Sequence, residues 1–178
     1  MAMQFRSGIG LALLLGLWGP AVGAESSLSP LALEQGPNQD ELRTEALNLN
    51  NEGLKLKREG KWEVALGKYE KALALFQKLK ERKSEGIALQ NIGTLYDSLG
   101  QYDTALDYFK QSLTIRQELG DKKAEGLALN RIGSIYQSLG KYNKALEYHQ
   151  TSLKIFNSLG NRQGESSSLN SIGILYYR

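Results

Sequence analysis

The chain has 178 residues, 41% of them hydrophobic and 23% charged, so a folded domain with a buried core is expected rather than a disordered segment. Its formal charge is +3, and Lys and Arg alternate with Asp and Glu as on solvated helix faces, which argues against a nucleic-acid interface. It has no cysteine, which excludes disulfides, thiolate chemistry and cysteine-ligated metals.

The N-terminus begins MAMQFRSGIGLALLLGLWGPAVGAESS. Arg6 precedes an apolar run from Gly8 to Trp18, and Val22 and Ala24 stand at the spacing a signal peptidase accepts. Residues 1–24 therefore read as a secretory signal peptide cut after Ala24. The run falls short of the roughly 20 apolar residues that span a bilayer; an uncleaved anchor is the other reading. Export to the periplasm or the medium is expected, with no membrane association after cleavage. Residues 25–39 carry Pro30 and Pro37 and little periodicity, as in a flexible leader. No proline follows, which leaves residues 40–178 free to form long helices.

Those residues repeat. Gly53, Gly93, Gly133 and Gly173 stand 40 apart, as do Leu49, Leu89, Leu129 and Leu169. Gly60, Gly100 and Gly140 keep the same step, and so do Ala65, Ala105 and Ala145. The units are drawn at 49–88, 89–128 and 129–168, with a stub at 169–178. Each unit holds two amphipathic helices. In the second unit Leu89, Ile92, Tyr96 and Leu99 make one stripe. Gly100 ends that helix, and Asp103 stands ready to cap the next, as Asn143 does in the third unit. Ala105, Leu106, Phe109 and Leu113 make the second stripe, which stops at Leu119-Gly120, with Asp121 as the following cap. Leu159-Gly160-Asn161 repeats that punctuation. Lys80-Glu81 breaks it, so a looser turn or a continuing helix is expected there. Gly93 and Ala105 are placed on facing helices, where their size lets the backbones approach, with Tyr96, Tyr102 and Tyr136 filling the space around such sites. A single pair cannot bury its apolar face, but a stack of pairs can.

The pattern Leu89, Ile92-Gly93, Tyr96, Gly100, Tyr102, Ala105, Phe109 resembles the tetratricopeptide repeat. The third unit matches with His149 at the aromatic position, and the first departs at Glu52, as suits an end repeat with one face in water. The 40-residue period is similar to that of the Leu-Gly-Asn polarity adaptors, kinesin light chains, and bacterial arrays that often end in a caspase-like CHAT peptidase domain. The resemblance implies an all-α, right-handed superhelical solenoid of antiparallel helix pairs.

No catalytic set is found. The lone His149 occupies a packing position, the glycines are spaced for helix ends and helix contacts, and no metal-ligand cluster is legible. No enzyme activity, cofactor or metal is expected. What remains is a surface. By resemblance, the first helix of each pair lines a concave groove. Asn50, Asn51, Gln90, Asn91, Asn130, Arg131, Asn170 and Ser171 face that groove, with Thr94, Asp97, Ser134 and Gln137 one turn on. Such amide-bearing side chains offer donors and acceptors to a peptide backbone. Arg131 is the only cation in that row, which counts against the multi-cation grip some family members use on a C-terminal carboxylate. A protein or peptide ligand is the expected partner.

The stub LNSIGILYYR starts a fourth pair and lacks its second helix. Either the chain is part of a longer array, such as the sensor arm of a peptidase or signalling protein, or a second chain covers the stub in a homodimer through the C-terminal helix.

Overall fold

The computed structural model describes residues 37–177. The signal-peptide expectation, most of the leader and Arg178 lie outside them. Seven helices follow in order among the described residues: α1 (Gln39–Arg58), α2 (Trp62–Lys78), α3 (Arg82–Ser98), α4 (Tyr102–Glu118), α5 (Lys122–Ser138), α6 (Tyr142–Ser158) and α7 (Arg162–Tyr176). They form an all-α solenoid of antiparallel pairs. The lines drawn at Leu49, Leu89 and Leu129 fall inside α1, α3 and α5, so a folded pair starts earlier in the same 40-residue period.

Helix termination is local and uniform. In all six turns the third linking residue donates its N–H to the carbonyl five residues back, from Lys61 to Leu56 through Asn161 to Phe156. Five of the turns hold glycine at positive φ. The sixth places Lys80 at φ 57 and keeps the same hydrogen bond, Glu81 to Phe76. The turn is therefore neither looser nor continuous; lysine bears a left-handed conformation that glycine adopts freely.

Capping is less uniform. Asn38 and Glu41 form a reciprocal capping box at α1. Asp121 accepts from the Ala124 N–H at 3.0 Å, and Asn161 from the Gly164 N–H at 3.0 Å. Asp103 and Asn143 do not cap. They lie inside α4 and α6, whose N-cap positions are Gln101 and Lys141 with no side-chain bond. The turn geometry sets the N-cap position two residues before them.

The glycines make room for rings. A Cβ on Gly53 would stand 2.7 Å from the Tyr69 ring, one on Gly93 3.3 Å from Phe109, and one on Gly133 2.7 Å from His149. Gly93 and Ala105 do lie on facing helices, yet Phe109 fills the notch. Tyr96 stacks on Tyr108 at 5.5 Å instead, and Tyr136 on Tyr148 at 5.3 Å. Between pairs, the buried Phe156 ring is held between Gly126 of α5 and Gly164 of α7. Ala65, Ala105 and Ala145 are fully buried. Gly173 meets nothing within 4 Å among the described residues. At the other end Glu52 is exposed and paired with Lys68, as an end repeat requires.

Candidate functional site: the inner face of the array

Curvature follows from which helices approach one another. Besides their sequential neighbours, α1 approaches α3 and α5 approaches α7, whereas α2, α4 and α6 make no comparable approach. At each end of the array one first helix is therefore drawn toward the next while the second helices are not, which puts the first-helix face on the inner side of the bend. Electrostatics agree. Lys57 on α1 and Arg131 on α5 repel each other although α3 lies between them, and both attract Asp97 of α3. Burial, and then Arg131, lower the Lys57 pKa. Burial raises that of Asp97 against the pull of both cations.

The expected groove residues divide by what they touch. Asn51, Arg131 and Asn170 are exposed, and Gln90 is half-buried. Asn91 is engaged, since its amide donates to Asn50 Oδ1 at 2.9 Å and ties α3 to α1. Thr94 and Ser134 donate their hydroxyls to the carbonyls of Gln90 and Asn130 in their own helices. Asn50 and Asn130 are buried at 9% exposure.

Asn130 belongs to an internal network. Its amide nitrogen donates to Ser168 Oγ at 2.9 Å, so its oxygen is the acceptor facing His149 Nδ1 at 2.9 Å. His149 therefore carries its proton on Nδ1. Ser168 is left to donate to Ser152, 3.2 Å away, and Ser152 donates to the Gly126 carbonyl at 2.7 Å. His149 is fully buried, its Nε2 has no partner among the described residues, and burial lowers its pKa. It is a packing residue with a polar anchor. The equivalent ring positions, Tyr69 and Phe109, are also buried.

Sequence reading missed the apolar part of this face. Leu47, Ile87 and Leu127 are exposed at 45%, 40% and 47%. Each starts the stripe that continues through Asn51, Asn91 or Arg131 at the i+4 position of its helix. Their 40-residue step was available as a signal, but their exposure was not. Lys57 was missed too. It stands six residues beyond Asn51, which holds the place of Arg131 on α1 in the row where Arg131 looked like the only cation.

A tetratricopeptide repeat family model matches residues 44–118 and 125–178. No curated protein matches. Among solved structures, the chain is similar to the tetratricopeptide domain of Arabidopsis FLU, with 24% identity and a TM-score of 0.62, covering 66% of this chain and 98% of that one. It is similar to aspartyl phosphate phosphatase F of Bacillus subtilis, with 24% identity and a TM-score of 0.69, covering 81% of this chain and 37% of that one. It is also similar to the first tetratricopeptide domain of Spaghetti (RPAP3) bound to an HSP90 peptide, with 16% identity and a TM-score of 0.60, covering 76% and 93%. At these identities the neighbours establish the fold alone. The stacked pairs, the glycine notches filled by rings and the family match over most of its length lead to one conclusion: the chain belongs to the tetratricopeptide repeat family.

Proposed function

We propose that this chain is a non-catalytic scaffold that binds a protein or peptide on the concave face of α1, α3, α5 and α7. One observation carries the reading. The first helices present Leu47, Asn51, Ile87, Gln90, Leu127, Arg131 and Asn170 along one inner face, where apolar surface and free polar groups lie side by side. Apolar area drives association, and placed polar groups fix register. The similar Spaghetti domain is one bound to a peptide, which supports this use of the fold. The reading needs no cofactor and no nucleic acid. It carries the export expectation with it: a mature mass starting at Glu25 supports export, and one retaining Met1 sinks it.

Site-specific photo-cross-linking in native cells tests the face used. A photoreactive residue at Gln90 should capture a partner, whereas one at Asp107 or Lys110, exposed on α4, should not. Capture from α4 alone would place binding on the convex side and end the groove reading.

The open end of the array favours a second reading for another surface. Gly173 has no ring in its notch, and Leu169 and Ile174 are 54% and 42% exposed. This face fits a further helix, from a longer array or from a second copy. Sedimentation velocity across a concentration series separates the two, because only a second copy makes the mass depend on concentration.

A further inference from the structure

We propose that the segment held in the groove is an amphipathic helix, lying across α1, α3 and α5 with an acidic flank; this rests on the groove reading above. Leu47, Ile87 and Leu127 occupy the same place on three successive first helices, and Ser167 ends the row on α7. First helices set side by side with few direct contacts stand about a helix diameter, 10–12 Å, apart. A partner helix advances about 10.5 Å in seven residues, at 1.5 Å each. Apolar side chains at i, i+7 and i+14 of such a helix therefore meet the three apolar residues in turn. A fully extended strand does not suit this row. It covers a similar distance in three residues, and an odd step turns the side chain to its other face.

Width and charge add to the argument. From Leu47 to Lys57 along α1 is ten residues, or about 15 Å. A helix with its side chains is about 10–12 Å across. On α5, Arg131 stands only four residues, about 6 Å, beyond Leu127, so a helix seated on the apolar row has the charged crossing of Lys57, Asp97 and Arg131 along one flank. That crossing holds two cations and one carboxylate. The cations repel each other, and burial already weighs against the Lys57 charge. A partner carboxylate relieves both effects, so the flank of the bound helix that faces this crossing is acidic.

The test uses the full chain and a fluorescein-labelled synthetic helix of about 18 residues, with three leucines spaced by seven and Glu along one flank. Two control peptides break one feature each: leucines spaced by five, or Lys in place of Glu. Fluorescence anisotropy should show the first peptide bound at least about tenfold more tightly than either control, a gap of about 1.4 kcal/mol. Ile87→Asp, at an exposed position, should weaken it about tenfold or more. Arg131→Glu should abolish the preference for Glu over Lys. Equal binding of the five-spaced control, or no effect of Ile87→Asp, overturns the inference. If cross-links from Gln90 trap an extended partner segment, the helix inference falls and the groove reading stands. Cross-links from α4 alone sink both.

Discussion

His149 gives the array a stability that depends on pH. The side chain is fully buried against Gly133, donates from Nδ1 to Asn130 and leaves Nε2 bare. Protonating Nε2 places an unshared charge in the interior, so burial holds the folded pKa below the ordinary 6.5. Above that value both folded and unfolded chains hold neutral histidine, and the residue adds no pH dependence. Below it the unfolded chain takes up a proton that the folded chain resists, so stability is lost as pH falls. Between pH 7.5 and 5.5 the loss has an upper bound of one proton over one decade, about 1.4 kcal/mol. Urea denaturation at both pH values measures it, with His149→Phe as the reference, since Phe109 fills the same position in the second pair. The variant leaves Asn130 Oδ1 without its donor, at a cost of about 1–3 kcal/mol. The informative quantity is therefore the difference in pH slope, not the absolute stability. The native chain should lose more than the variant between the two pH values, by up to about 1.4 kcal/mol. Equal losses would refute the buried neutral histidine.

Lys80→Gly should stabilise the array by about 1 kcal/mol, because lysine holds a left-handed φ of 57 where the other five turns have glycine. A denaturation midpoint that stays put or falls would show that Lys80 is unstrained. Arg116→Phe should also stabilise. Arg116 is 4% exposed at the position of Phe76 and Phe156; among the described residues its Nε is unpaired and its one ion-pair partner, Asp121, is 3.9 Å away. Replacing a poorly paired buried cation with a ring should add about 1 kcal/mol, and a lower melting temperature would show that the guanidinium is better satisfied than its geometry indicates. Asp121 keeps its cap on Ala124 in that variant, so loss of the α5 cap does not complicate the measurement.

The sequence alone determined the period, the pairing of helices and their ends, because those depend on local chemistry. Glycine at a left-handed position stops a helix wherever the chain goes next, and a 40-residue step of Leu, Gly and Ala repeats one unit. Where a local rule was given to the wrong residue, as with the caps assigned to Asp103 and Asn143, the error came from placing the helix start two residues late. The site was only half legible, because whether a groove side chain is free depends on its neighbours across the stack. Asn130 and Asn170 are the same residue at the same repeat position. Asn130 is buried by His149 and Ser168, while Asn170 lies open on α7, whose Gly173 notch holds no ring. Lys57 and Arg131 are 74 residues apart in the chain (131 − 57 = 74). Only the stack that sets α1, α3 and α5 side by side brings them within range of each other and of Asp97. The repeat fixes which residues share a row, and the tertiary stack decides which of them a partner can reach.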